Sequence, residues 1–211
     1  MKKDRIALGV GDIEVTAPSH VCLFHQGEKD LRATQLAFLR PAILNRREAI
    51  LMVGPTGVAE RQLAYLEADL GRTLSDEVVA GRIVLAQGDP DPDAQLENLF
   101  VPLGQLVAAG YDFVRVLGPV AWGVRDYPPP EDFLWYESRI TPLLQEFPAV
   151  VLCAYDVTAL PGSALAYGGL ETHPLTLMSG RLSESPIFVQ AELFVSGCLV
   201  PLLNESAVRA R

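Results

Sequence analysis

The residues with the widest chemical reach in this 211-residue sequence are its three histidines, His20, His25 and His173, and its three cysteines, Cys22, Cys153 and Cys198. His20, Cys22 and His25 sit close together, and imidazole nitrogen and thiolate sulfur are common zinc donors. On a strand, alternate side chains face opposite ways, so His20 and Cys22 would share one face and His25 the other. Cys153 falls on an apolar run expected to neighbour theirs. Structural zinc sites favour tight Cys-x-x-Cys-like pairs, and none occurs here. A buried cysteine ordinarily behaves as a small hydrophobe. No metal site and no cofactor are expected on this reading, with metal binding by His20, Cys22 and Cys153 left open.

Phosphate chemistry has two weak candidates. Gly9-x-Gly11 is followed by Glu14 where a dinucleotide fingerprint needs a third glycine. Gly54-Pro55-Thr56-Gly57 follows a strand and precedes a helix, as a phosphate loop does. It lacks the Lys-Ser/Thr that balances phosphate charge, so a tight strand-to-helix turn is the better reading. Ser163 stands in Gly162-Ser163-Ala164-Leu165, which is no nucleophile elbow. The carboxylates Asp126, Glu131, Asp132 and Glu184 have no partner set by spacing and read as solvated surface. Trp122 lies just beyond a strand's carboxyl end. It is either a lid over a pocket or a plug that fills it.

Short β-rich runs alternate with amphipathic stretches. Strands are predicted at His20–Phe24, Ala49–Val53, Arg82–Ala86, Asp112–Leu117, Ala149–Ala154 and Leu175–Met178, with an edge strand at Ile187–Val189. Helices are predicted at Glu28–Asn45, Val58–Leu70, Leu96–Ala109, Glu131 to about Gln145, and Pro161–Leu170. Gly88 to Asp93 reads as a turn-rich connector. This alternation calls for a parallel sheet covered on both faces, and the unbroken apolar strands Ile50–Val53 and Val150–Leu152 agree. In such sheets ligands bind beyond the carboxyl ends of the strands. The loops after Phe24, Val53, Leu117 and Ala154 are therefore the places to look.

Composition narrows the function classes. Hydrophobic residues make up 49% of the chain, enough for a sizeable core. Seventeen Lys and Arg against 26 Asp and Glu give a net charge of −9, which disfavours nucleic acid and anionic membranes as direct partners. The odd, scattered cysteines suit a reducing cytoplasm rather than a disulfide framework. The apolar run Ile6–Val10 is too short for a signal peptide. Leu193–Leu203 is too short to span a membrane and too apolar to stay in water, so burial on the domain or in a homodimer is expected.

In chain order, several motifs resemble the MEDS domain, the sensory domain of DcmR-like regulators. His20-Val21-Cys22-Leu23-Phe24-His25 resembles its His-x-Cys-x-Phe-Tyr opening. Arg115-Val116-Leu117-Gly118 with Trp122 resembles its strand ending in Gly near a Trp. Phe133-Leu134-x-Tyr136-Glu137 resembles its Phe-x-x-Tyr-Glu helix, and Leu152-Cys153-Ala154-Tyr155 with His173-Pro174 its Leu-Cys-x-Tyr strand and following His-Pro. The likeness runs from about residue 18 to 190. His25 replaces the usual Tyr, and Pro119 stands where an acidic residue is common. The family is similar in turn to RecA/KaiC-type ATPase domains that have lost nucleotide chemistry. The residues agree: His25-Gln26-Gly27-Glu28-Lys29-Asp30 has no Gly-Lys-Ser/Thr, and Gly118 stands where a Mg²⁺-holding Asp would be.

The expected fold is a three-layer α/β sandwich, RecA/KaiC-like, with a mostly parallel sheet and no working phosphate loop. Residues 1–17 are read as an extension, 18–190 as the MEDS-like domain and 191–211 as an apolar C-terminal segment. The resemblance implies a non-catalytic, stand-alone cytoplasmic sensor of a small organic ligand, signalling through a partner protein, with a homodimer as one expected state. A residual nucleotide-binding ATPase-like protein or another enzyme is the alternative. The ligand site is expected at the strand ends, lined by His25, Gln26, Thr56, Pro119, Trp122 and Tyr155. The family-motif residues are His20, Cys22, Phe24, Gly118, Glu137, Cys153, His173 and Pro174.

Overall fold

A computed structural model describes residues 5–191, apart from the side chain of Glu131. Two short strands, β1 (Arg5–Ala7) and β2 (Glu14–Thr16), form a hairpin. The main sheet contains β3 (Ser19–His25), β4 (Glu48–Gly54), β5 (Ile83–Gln87), β6 (Phe113–Pro119), β7 (Ala149–Asp156), β8 (Leu175–Met178) and β9 (Arg181–Glu184). Their order is β5-β4-β6-β7-β3-β8-β9, and only β9 runs antiparallel to its neighbour. The central strands β4, β6 and β7 are buried along nearly their whole length. That is why they read as unbroken apolar runs, since parallel strands inside such a sandwich have no solvent face.

Helices cover both faces. One face carries α1 (Gly27–Leu44), α2 (Val58–Leu70) and the short α3 (Ser75–Val79), packed through Phe38, Leu39, Leu66 and Leu74. The other carries α4 (Pro92–Ala108) and α5 (Pro130–Leu143), packed through Leu99, Leu103, Phe133, Tyr136 and Ile140. The result is the expected three-layer α/β sandwich. Helix α4 begins four residues earlier than the periodicity suggests. Asp91 caps it by accepting the Ala94 N–H at 2.9 Å, and Pro92 opens its first turn without needing a donor of its own.

The N-terminal hairpin joins the same core. Leu8 is fully buried beside Val15, Phe38 and Leu39. Gly9, at φ +90°, lies so close to α1 that a Cβ there would sit 2.1 Å from the Ala37 carbonyl oxygen. The Gly9-x-Gly11 pair therefore serves a turn packed on a helix. Arg115 locks the arrangement from below. The residue is 1% exposed, and its guanidinium donates to the carbonyls of Ala7, Leu8 and Phe38 at 2.9, 3.1 and 3.1 Å, and to Glu48 at 2.8 Å.

The edge strand differs from expectation. Ser179 and Gly180 take positive φ, a two-residue hairpin that folds the chain straight back along β8. Arg181–Glu184 therefore occupies the edge, and Ile187–Val189 lies in irregular structure. The eight residues Ala164–Glu171 form a π-helical segment where an ordinary helix is predicted. No helix among the described residues is long and apolar enough to cross a membrane. Cys198 and the apolar stretch Leu193–Leu203 lie outside the described residues.

Candidate functional site

Four side chains from four separate segments meet beneath α5. His20 comes from β3, Cys153 from the neighbouring β7, Glu137 from α5, and His173 from the turn between the π-helical segment and β8. Strand alternation puts His20 on the α5 side of β3 along with Cys22 and Phe24, and Cys153 on the same side of β7. Glu137 lies one helical turn beyond Phe133, on the stripe of α5 that faces the sheet. All four residues are buried, and one donor atom from each lies within 4.8 Å of every other. His20 Nε2 is 3.4 Å from Cys153 Sγ and 3.5 Å from Glu137 Oε2, and His173 Nε2 is 3.7 Å from the same oxygen. The two imidazoles face each other with centroids 3.8 Å apart.

The far side of each ring is held. His173 Nδ1 lies 3.0 Å from the Gly168 carbonyl and 2.9 Å from Thr172 Oγ1, whose hydroxyl also donates to Gly168. His20 Nδ1 lies 3.0 Å from Thr141 Oγ1, and that hydroxyl donates to the Thr172 carbonyl at 3.5 Å. A carbonyl can only accept, so Nδ1 of His173 carries the proton and Nε2 presents its lone pair to the cluster. The Thr141 hydroxyl, already donating, accepts from His20 Nδ1 and fixes the same tautomer. Among the described residues, His173 Nε2 and both Glu137 oxygens have no hydrogen-bond partner. Burial pushes the His20 and His173 pKa values down to about 3 and raises that of Glu137 to about 7. The Cys153 thiol is raised by burial and by the Glu137 carboxylate.

A cleft of about 520 Å³ opens at the carboxyl edge of the sheet. His25, Thr56 and Pro119 line it, with Pro55, Val120 and Ala154 among its apolar walls. Glu28, Asp156 and Arg61 supply its charge. Gln26 lines a second cleft of about 500 Å³ near Phe24, Lys29 and Met178. Trp122 lies outside both clefts and sets its ring edge-on against Phe133 at 5.1 Å. Tyr155 is fully buried on the other side of the sheet, its ring 5.6 Å from that of His173. The six residues assigned to one site thus fall into distinct neighbourhoods.

The family motifs converge instead. His20, Glu137, Cys153 and His173 form the buried cluster, and Cys22 and Phe24 lie beside it, close against Gly169. Sequence reading grouped His20 with Cys22, His25 and Cys153 as metal candidates. His25 faces away, and the cluster draws Glu137 and His173 from segments no spacing rule connects to β3. The signal that could have found them was the motif set itself.

The loop after β3 takes a form that bears on phosphate binding. The Gln26 N–H donates to Asp30 at 2.9 Å, and the Gly27 N–H to Asp156 at 3.2 Å. At the second candidate loop, Thr56 is tied to Asp126 at 2.8 Å and accepts from Gln87 at 2.5 Å.

No curated protein matches the sequence. Among solved structures, the chain is similar in fold to a KaiC-like protein from the hyperthermophilic archaeon Pyrococcus horikoshii OT3. The TM-score is 0.62 at 11% identity, covering 83% of this chain and 80% of that one. The fold is therefore RecA/KaiC-like. The family described as MEDS, the methanogen/methylotroph DcmR sensory domain, matches residues 19–174, a span that contains all four residues of the buried cluster and both candidate loops, and the chain belongs to that family of sensory domains.

Proposed function

We propose that this protein is a non-catalytic sensory module that binds a small, largely uncharged organic molecule and signals through a partner protein. The observation that carries the reading is the state of the loop after β3. In phosphate-binding folds the free N–H groups at a helix N-terminus receive the anion. Here Asp30 and Asp156 already accept from Gln26 and Gly27, so a phosphate would have to displace two carboxylates and face their charge. The adjacent cleft, with apolar walls, two carboxylates and one guanidinium, suits a neutral guest better than an anion. His25 and Thr56 offer the hydrogen bonds that would orient it.

The test pairs calorimetry with Mg-ATP and a thermal-shift screen of small neutral organic compounds. The reading expects no one-site nucleotide isotherm, and a compound whose affinity falls about fivefold in His25→Ala or Thr56→Ala, the loss of one ordinary hydrogen bond to the ligand. A clear Mg-ATP isotherm or nucleotide turnover would overturn it. A compound bound equally well by wild type and both variants would place the ligand elsewhere.

A further inference from the structure

We infer that His20, Glu137, Cys153 and His173 form a closed four-coordinate site for one divalent transition-metal ion, zinc being the ion they fit best. The inference goes beyond the sensory reading and rests on a different part of the molecule, between the sheet and α5.

Geometry is the first support. With zinc–nitrogen and zinc–oxygen bonds of about 2.0–2.1 Å, a tetrahedron has edges of about 3.4 Å, and slightly more toward sulfur. Three of the cluster's six donor–donor edges are 3.4, 3.5 and 3.7 Å. The remaining edges lie within 4.8 Å, so shifts of about 1 Å bring the four donors onto the corners of a metal tetrahedron.

Lone-pair direction is the second. Both imidazoles are fixed through Nδ1, by the Gly168 carbonyl and by Thr141, so both Nε2 atoms point inward without a proton. Metal-bound histidines are typically held in this way by an outer partner. Those lone pairs confront a carboxylate whose two oxygens have no hydrogen bond among the described residues. A cation at the centre satisfies these acceptors together.

Charge balance is the third. A Cys153 thiolate and a Glu137 carboxylate carry two negative charges, and the histidines are neutral. One divalent ion makes the buried site neutral overall, which removes the large penalty for an unpaired charge in the interior. Binding releases the thiol proton, and the proton on Glu137 where it has one. All four positions are filled by protein, which marks the closed form of site that supports structure rather than the open form that activates water. The competing arrangement is metal-free, with protonated Glu137 donating to His173 and the Cys153 thiol donating to His20.

The experiment uses full-length protein, expressed with supplemental zinc and purified without a metal-affinity tag. Elemental analysis should find about one zinc per chain. After chelator stripping, cobalt(II) should give the strong visible absorption of a tetrahedral site and a near-ultraviolet thiolate-to-cobalt band. Cys153→Ser should abolish that band and lower the zinc content, while Cys22→Ser should keep both. Zinc-free wild type that takes up no cobalt would overturn the inference and support the protonated cluster. So would a thiolate band that survives Cys153→Ser. If Cys153→Ser does not fold, the wild-type spectrum decides alone: weak octahedral absorption without a thiolate band overturns the assignment. None of these readouts depends on the cleft or its ligand.

Discussion

Nε2 of His20 and Sγ of Cys153 lie 3.4 Å apart although 133 residues separate them in the chain. The contact follows from register. Parallel pairing of β3 with β7 sets Cys22 opposite Cys153, so His20, two residues earlier on the same face, reaches Cys153 on the diagonal. Glu137 and His173 then close the group from α5 and from the chain entering β8.

Metal removal is expected to destabilise the protein. The ligands come from four segments, so an ion there crosslinks the sheet, α5 and the entry to β8. A ligand that binds only the folded state stabilises it by about 2.7 kcal/mol at a hundredfold excess over Kd. Stripping the metal with a chelator should lower the melting temperature by several degrees, and zinc should restore it. A chelator-treated sample with zinc-depleted protein and an unchanged melting curve would refute this.

Arg115 is expected to be the costliest polar residue to remove from the opposite face. Its guanidinium satisfies three carbonyls and Glu48 at once. Arg115→Met keeps much of the volume but removes the side-chain donor to all four acceptors and leaves Glu48 without its cation, a loss of about 3–5 kcal/mol by analogy with broken buried ion pairs. Urea unfolding measures it. A loss below about 1 kcal/mol, within the range of ordinary substitutions, would mean that the hairpin does not depend on this residue.

The sheet was legible in the sequence because its strands are buried on both faces. Runs such as Ala49–Val53 and Ala149–Ala154 admit no other reading beside amphipathic helices. β1 and β2 were not legible, since three-residue strands carry too little periodicity, and their stability comes from Leu8 and Arg115 at long range. The site was half legible. The motif set held all four cluster residues, while chain spacing suggested His25 and Cys22 as partners of His20. Only the β3–β7 register and the packing of α5 replace them with Glu137 and His173. Trp122 could be a lid or a plug from sequence, and its contact with Phe133 shows a third role, packing against α5.

Gly168→Ala is expected to disturb both stability and the buried cluster. A Cβ at Gly168 would stand 2.5 Å from the Phe133 ring and 3.2 Å from the Tyr155 hydroxyl. Overpacking of this kind costs about 1–3 kcal/mol. Phe133 precedes Glu137 by one turn on the same face of α5, so relief of the clash by moving α5 also moves a cluster carboxylate. Cobalt affinity should fall along with the melting temperature. An alanine variant with wild-type stability would mean that the π-helical segment yields without moving α5.

The last expectation concerns acid stability and the edge of the cleft. Burial alone would push the Asp156 carboxyl upward, but hydrogen bonds from Thr158 Oγ1, the Thr158 N–H and the Gly27 N–H hold it below the usual carboxylate value. A carboxylate whose pKa is depressed in the folded state adds stability above its ordinary pKa and loses it as pH falls through the depressed value. Asp156→Asn removes that contribution. The variant should be less stable than wild type at neutral pH, and the gap should narrow toward zero as both are acidified below the ordinary carboxylate range. The asparagine oxygen can still accept one N–H but brings no charge to the start of α1. The variant should therefore also be the first to admit an anion at the cleft, and weak Mg-ATP binding that appears in Asp156→Asn but not in wild type would show that this carboxylate keeps phosphate out. Parallel pH–stability curves for the two proteins would show that the Asp156 charge contributes nothing to the fold.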